Sequence, residues 1–351
     1  MQTPVKKLLA LLFVLLLLTG CALPRPGTQP TETVPSGSRL QIHYIDVGQA
    51  DCALLECDGH YMLIDGGNVA DSSLVVSYLQ KQGVQQLDAV VCTHAHEDHV
   101  GGLPGVLAVF PVQALYAPTR TYASACFDDF MYYADQQRLT VQLPAPGDEI
   151  PLGRARVTVL GPTKSYSDTN NTSIVLLVRY GETTFLFTGD METQAENDML
   201  DYWGEDYDFH ADVLKVGHHG SETSTGYRFL RAVSPTWGVI SVGTGNSYGH
   251  PHEAPLSRLH DADVTLLRTD TLGTVIATSD GKTVSFRWEK QSQQPEDPTQ
   301  SQPRQWIGNT RSGVLHLPGC ASLPGADNRI IFDDYDEAIA AGYRPCSRCM
   351  G

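Results

Sequence analysis

Residues 93–102 read THAHEDHVGG and place His94, His96, Asp98 and His99 in an H-x-H-x-D-H spacing. In an extended segment residues i and i+2 point the same way, so His94 and His96 can chelate one ion together. The following run, GGLPGVLAVF, predicts a helix, with Asp98 and His99 near its start and free to face a second ion. Imidazole and carboxylate suit zinc, and also manganese or iron. Two divalent ions held close together can acidify a water and clamp the oxygens of a phosphoryl group.

A second constellation closes the chain. His316 and Cys320 are four apart, and Cys346 and Cys349 form a C-x-x-C. Three thiolates and one imidazole make a closed tetrahedral set, the signature of a structural zinc rather than a catalytic one. A tail as short as 306–351 buries little core, so a metal would supply its folding energy. The alternative is a Cys346–Cys349 disulfide beside a free Cys320.

The elements that must position these groups alternate strand and helix. LQIHYIDV (40–47), YMLIDGG (61–67) and LDAVVCT (87–93) are apolar strands, the last running straight into the histidine cluster. TTFLFTGD (183–190), ADVLKVGHHG (211–220) and WGVISVG (237–243) each end in a polar tip. VTLLRT (264–269) follows, and TVIATSDGKTVSFRW (274–288) predicts a hairpin with a two-residue Asp280-Gly281 turn. Helices are predicted at 71–83 and 191–203. Layered strands and helices give an α/β body, with the polar residues gathered at strand ends, where such sheets build their sites.

Linkers set the boundaries. The Gln/Pro/Ser-rich stretch 290–305 separates a body (39–289) from the tail (306–351). At the other end Lys6 and Lys7 precede an apolar run, Leu8–Leu18, too short to span a membrane. Residues 1–20 read as a secretory signal. LTGC resembles the bacterial lipobox, which implies lipidation of Cys21 and a place on the extracytoplasmic face of the cell membrane. Residues 21–38 read as a flexible tether. Disulfides are permitted outside the cell, but seven cysteines after Cys21 cannot all pair. The net charge of −16 opposes loose binding of a polyanion, so a nucleic-acid substrate would need local positive charge from metals or a small basic patch.

The body resembles the metallo-β-lactamase superfamily over its whole length. The resemblance implies an αββα sandwich with a dinuclear metal site at one edge. Asp190 of FTGD would bridge two divalent ions, Zn or Mn. His218 of KVGHHGS would serve the second, with His219 as the alternative. Asp65 of LIDGG would orient the ligand loop by hydrogen bonds. One position departs from the family: no histidine lies between His99 and His210, and Asn170 or Asn171 stands near the place of the missing first-site ligand. Amide oxygen is the weaker ligand for zinc, so that site is expected to bind metal loosely, or through water or substrate.

IHYIDVGQADCALLE, NNTSIVL, LKVGHHGSETST and GTGNSYGHPHEAPLSRL resemble, more narrowly, the extracytoplasmic hydrolase domain of the competence protein ComEC and its secreted relatives. That implies phosphodiester hydrolysis with DNA as substrate. Asp98 and His250 are the candidate catalytic residues, with a loop histidine capping a turn before Pro251 as the alternative for His250. His250 would contact phosphate or protonate the leaving oxygen. Asn171, Ser221 and Asn246 are candidates to hydrogen-bond substrate. Lys215 would either face phosphate or serve as an ion-pair partner. His43, His60, His210, His252 and His260 read as structural or surface residues. AIAAGYRPCSRC resembles the zinc-binding module of the Ada DNA-repair protein, with His316 in place of a cysteine, and implies DNA contact. Competing readings are hydrolysis of another phosphoester such as cell-wall phosphocholine, and DNA capture without catalysis.

Overall fold

The computed structural model describes residues 34–296 and 305–350. The expected signal (1–20), Cys21, most of the tether and residues 297–304 of the linker lie outside the described residues. None of the described helices is long and apolar enough to cross a membrane.

The body contains fifteen strands: β1 (Leu40–Tyr44), β2 (Ala53–Cys57), β3 (His60–Ile64), β4 (Leu87–Val91), β5 (Val112–Tyr116), β6 (Val141–Gln142), β7 (Glu149–Leu152), β8 (Ala155–Gly161), β9 (Val175–Tyr180), β10 (Thr183–Phe187), β11 (Val213–Lys215), β12 (Trp237–Ile240), β13 (Thr265–Arg268), β14 (Val275–Ser279) and β15 (Val284–Trp288). They form an eight-stranded sheet in the order β15-β14-β1-β2-β3-β4-β5-β6 and a seven-stranded sheet in the order β13-β12-β11-β10-β9-β8-β7. Strands β3 to β6 pair in parallel, as do β10 to β13.

The inner strands of each sheet are buried on both faces, which is why they read as apolar runs, whereas the edge strands β7 and β15 alternate with exposed residues. Alternate residues of a strand point to opposite faces. In β10, Phe185 and Phe187 enter the core between the sheets, with Ile42, Leu55 and Val91 of the other sheet. Leu186 points outward onto the helices α5 (Thr193–Trp203), α6 (Tyr227–Val233) and α7 (Glu253–Asp261), which supply Met199, Phe229 and Leu259. The outer face of the first sheet packs Leu54, Leu63 and Val90 against α1 (Ser72–Lys81), α3 (Leu103–Val109) and α4 (Ala125–Gln136). Between α1 and α3 a four-residue turn of helix, α2 (Glu97–Val100), carries Asp98 and His99. The result is the expected αββα sandwich.

The hairpin at 274–288 differs from the expectation in its turn. Ser279 pairs with Val284, so the connection is Asp280–Thr283 rather than two residues. The Asp280 carboxylate accepts from the amides of Lys282 and Thr283, and this side-chain closure replaces a tight backbone turn.

The tail forms its own sheet from β16 (Trp306–Asn309), β17 (Val314–His316), β18 (Arg329–Phe332) and β19 (Arg344–Pro345), in the order β18-β16-β17-β19. Its buried apolar core is only Leu315, Phe332 and Ala338, against which Trp306 and Tyr343 pack. The tail sits directly on the body: a Cβ at Gly319 would come within 2.7 Å of the Ala254 carbonyl and 3.0 Å of Arg258 on α7. Only glycine allows that approach.

Candidate metal centre

The strands that carry the site end at one edge. The chain leaves β4 at Val91 and reaches His94 and His96; it leaves β10 at Phe187 and reaches Asp190; it leaves β11 at Lys215 and reaches His218 and His219. The turn of α2 is pinned because Gly102 packs on the Gly66 carbonyl, where a Cβ would stand 1.9 Å away. Asp65 adopts a left-handed conformation (φ 59°) and receives hydrogen bonds from the Thr93 amide (2.7 Å), the Thr93 hydroxyl (2.7 Å) and His99 Nδ1 (2.9 Å). Asp65 therefore orients the ligand loop, as the resemblance implied.

Around Asp190 the side chains form two groups. His94 Nε2 lies 3.1 Å from His96 Nδ1 and 3.9 Å from Asp190 Oδ2. On the other flank His99 Nε2 is 3.3 Å from Asp190 Oδ1, and His219 Nε2 is 3.2 Å from Asp98 Oδ2 and 3.6 Å from Asp190 Oδ2. Asp98, His99, Asp190 and His219 each offer a ligand atom within 4.8 Å of the others.

His218 stands apart from this four-residue set. Its Nε2 is 3.6 Å from Asp190 Oδ2, while its Nδ1 faces Thr223 Oγ1 at 3.3 Å and Glu192 at 3.6 Å. The second group thus closes with His219, the alternative in the sequence reading, rather than with His218. The physical reason is backbone conformation: both histidines are left-handed (φ 52° each), so adjacent side chains turn to the same carboxylate from different sides, the buried one inward. Non-glycine residues rarely hold that conformation, and it gathers at functional sites.

The chemistry of the donors fits a cation. His99 Nε2, His219 Nε2 and Asp190 Oδ1 are buried without hydrogen-bond partners, and their converging geometry accounts for this if they face an ion. The opposite ring nitrogens are occupied, as is usual for metal-binding histidines: His99 Nδ1 by Asp65 and His219 Nδ1 by the Ser241 carbonyl at 2.9 Å. Burial opposes ionisation of Asp190, but His99 and His219 outweigh it and hold the carboxyl well below the usual range. Burial likewise opposes protonation of His219, yet Asp190 and Asp51 push it up to about 10. The carboxylates thus demand positive charge at these nitrogens, and a divalent ion would take the place of the protons.

Behind His219 lies a network that sequence reading missed. Lys215 is buried and reaches Asp51 at 2.8 Å; the other oxygen of Asp51 is 3.4 Å from His219 Nδ1. Lys215 is therefore the ion-pair partner and not a phosphate contact. Asp51 stands in the quoted GQADC stretch, but a single acid among apolar neighbours gave no sign of its partner on a distant strand.

The three candidate substrate contacts are structural. Asn171 is buried and its Oδ1 accepts from the Glu192 amide at 3.1 Å. Ser221 bonds within its own turn, to Thr223 Oγ1 at 3.1 Å. Asn246 spends both ends of its amide on the loop 243–250, donating to Gly243 and His250 carbonyls and accepting from the Tyr248 and His250 amides. The neighbour Asn170 lines the cleft instead, and its Oδ1 is buried without a partner. Two adjacent asparagines cannot be told apart by composition; the short 3₁₀ turn at 170–172 decides which one faces the site.

His250 does line the cleft, beside Asp98, Asp190 and His218. Gln49 Oε1 accepts from the Gly243 amide at 3.1 Å, which turns its Nε2 toward His250 Nδ1 at 3.3 Å. An amide nitrogen only donates, so neutral His250 carries its proton on Nε2. Burial and the neighbouring His219 and His252 lower its pKa to about 4.

In the tail, His316, Cys320, Cys346 and Cys349 are buried with their ligand atoms within 4.8 Å of one another. All seven described cysteines are free, including Cys346 and Cys349. The amides of Leu317 and Ser322 point at the sulfurs of Cys349 and Cys320. Contacts from Cys349 and His316 lower the Cys320 thiol, while the same contact raises Cys349, so the two sulfurs share a proton that a metal would displace.

Residues 45–243 match the family described as the metallo-beta-lactamase superfamily. The chain belongs to that superfamily. As a metallo-β-lactamase superfamily member it is a metal-dependent hydrolase, and residues 291–350 add a match to the metal binding domain of Ada. Within the superfamily it is 30% identical to ComE operon protein 3 of Bacillus subtilis over 257 residues, 68% of this chain and 33% of the relative. It is 32% identical to competence protein ComA of Neisseria gonorrhoeae over 262 residues, 74% of this chain and 34% of that one. The chain thus spans about a third of the length of these two relatives. The crystal structure of the metallo-beta-lactamase fold protein YhfI from Bacillus subtilis aligns with a TM-score of 0.46 at 13% identity, over 69% of this chain and 100% of that one.

Proposed function

We propose that this superfamily member is a dinuclear phosphodiesterase that acts on DNA. The observation that carries the reading is Asp190, a buried carboxylate on which three buried imidazoles converge, His99 at one oxygen and His94 and His219 at the other. One ion, Zn or Mn, would be held by His94, His96 and Asp190, and the other by Asp98, His99, His219 and Asp190. Bound there, two such ions supply an acidified water and charge to set against phosphoryl oxygens. Asp98 holds its ligand geometry at the cleft wall and is kept anionic, at about 2, because His99 and His219 outweigh its burial. His250, with Nε2–H available, donates to a phosphoryl or leaving oxygen. The ions also answer the chain's net charge of −16 locally, where a polyanion must approach.

The similarity to relatives named for competence supports this reading. In the same reading the chain is anchored through lipidated Cys21 on the extracytoplasmic face of the membrane, and the tail, folded on one structural zinc, assists DNA binding. A cleft without lysine or arginine also admits a smaller phosphoester, such as a phosphocholine ester.

The test is cleavage by the metal-loaded protein of linear duplex DNA, single-stranded DNA and bis(p-nitrophenyl) phosphate, each repeated with Asp98→Ala. Metal-dependent cleavage abolished by the substitution is expected. Absence of cleavage of all three and of a phosphocholine ester defeats the enzyme reading and favours DNA capture; hydrolysis of the phosphocholine ester alone replaces DNA as substrate. Release of a Cys21→Ser variant from the membrane fraction checks the anchor.

A further inference from the structure

The mouth of the cleft is held by a loop with an unusual exposed ring. Tyr248 is 67% exposed, yet its backbone is fixed. Asn246 Oδ1 accepts from the Tyr248 and His250 amides at 3.1 and 3.0 Å. His252 accepts from the Glu222 amide at its Nδ1, so its Nε2–H donates to the Tyr248 carbonyl at 3.1 Å. His252, which reads from the sequence as a structural or surface residue, thus pins the loop. The Tyr248 ring stacks on His250, with centroids 5.6 Å apart and planes 25° apart. A large ring on a rigid backbone, backed on one side and open to solvent, contributes little to the fold and is poised to stack on another flat group.

The cleft beside it has a volume of about 360 Å³, and a second hollow of about 330 Å³ shares His96 and Glu97 with it. Among the described residues no lysine or arginine lines either one; Glu97 lines both, and Asp98 and Asp190 line the first. Proteins that track a strand along its backbone combine a positive groove with stacking aromatics. In these two hollows the described residues supply no positive charge, and the aromatic is present. Within the cleft, beyond the single phosphate at the ion cluster, affinity would come from neutral contacts.

We propose that Tyr248 is a base-stacking residue, and that the site takes the end of a single strand or a short oligonucleotide. One phosphate sits at the ion cluster and the adjoining base lies on the Tyr248 ring. This rests on the phosphodiesterase reading and deepens it. A duplex hides its base faces and offers the shelf nothing except at a frayed end.

The test compares binding of two phosphorothioate oligonucleotides of equal length, an oligothymidylate and its abasic counterpart, by fluorescence anisotropy with the zinc-loaded full chain. The thymidylate is expected to bind about tenfold more tightly. Tyr248→Ala should abolish that preference with little change in abasic binding, and Tyr248→Trp should keep it. The exposed position makes folding of both variants secure, and circular dichroism checks it. Equal affinity of the wild-type protein for the two, no measurable binding of either, or a preference that survives Tyr248→Ala overturns the proposal. Continued hydrolysis of bis(p-nitrophenyl) phosphate alongside such a result leaves the phosphodiesterase reading standing. A base preference without cleavage of any phosphodiester defeats that reading and leaves the shelf.

Discussion

His219 Nε2 lies 3.2 Å from Asp98 Oδ2, which ties the loop after β11 in one sheet to the turn after β4 in the other. The adjacent His218 makes no such link and is partly exposed. His219→Ala is therefore expected to lose one ion and at least about a hundredfold in kcat, beyond the 10–100-fold usual for outer-shell partners. His218→Ala should keep its metal and lose about tenfold or less. Metal content by mass spectrometry, read beside kcat, checks the assignment; equal loss of metal in both variants would make both histidines ligands.

Lys215 and Asp51 form a buried ion pair whose far oxygen steadies His219. Removing one partner leaves a buried charge uncompensated, at a cost of about 3–5 kcal/mol. Lys215→Met should show that loss in urea unfolding, together with weaker metal binding. The double variant Lys215→Met/Asp51→Asn should recover part of the stability, since neither charge then remains.

His43 gives a pH dependence remote from the metal site. It is buried, with Nδ1 2.8 Å from the Tyr78 hydroxyl, and burial followed by Arg287 and Arg39 lowers its pKa to about 4. The unfolded chain protonates this group near pH 6.5. Between those values the unfolded state binds a proton that the folded state refuses. The contribution is thus fully present above about pH 6.5 and lost as the pH falls toward 4, by up to about 3 kcal/mol. Urea midpoints from pH 4.5 to 7.5 should show this slope, and His43→Gln should flatten it.

Gly319 sets the tail against α7, with no room for a Cβ. Gly319→Val is expected to undock the tail without emptying its zinc site, whose ligands all lie within 306–351. Hydrogen exchange should rise at 253–261 while zinc content stays at the wild-type level. A simultaneous loss of zinc would show that docking and metal binding are one event.

Much of this was legible in the residues. H-x-H-x-D-H after an apolar run placed His94, His96, Asp98 and His99, because spacing within one turn fixes geometry locally. Asp190 of FTGD came from the superfamily resemblance, not from spacing. What escaped was whatever depended on one backbone conformation or on a partner far along the chain. His219 was passed over for His218 because nothing in HHG announces two consecutive left-handed residues. Asn171 was taken for a substrate contact, though its amide secures Glu192 while Asn170 faces the cleft. Asn246 and Ser221 looked like polar groups awaiting a ligand, but their own loops already use them. The pairing of Lys215 with Asp51 joins opposite sheets, and no local pattern encodes it.

The four ligands of the better-formed group come from three separated stretches of chain, and neither sheet alone holds them all. A chain that has assembled only its first sheet has His94, His96, Asp98 and His99 but no Asp190 and no His219. Such an intermediate would grip a metal weakly and exchange it freely with its surroundings. Tight retention would need both sheets. An ion held by this group would therefore latch the two halves of the sandwich together.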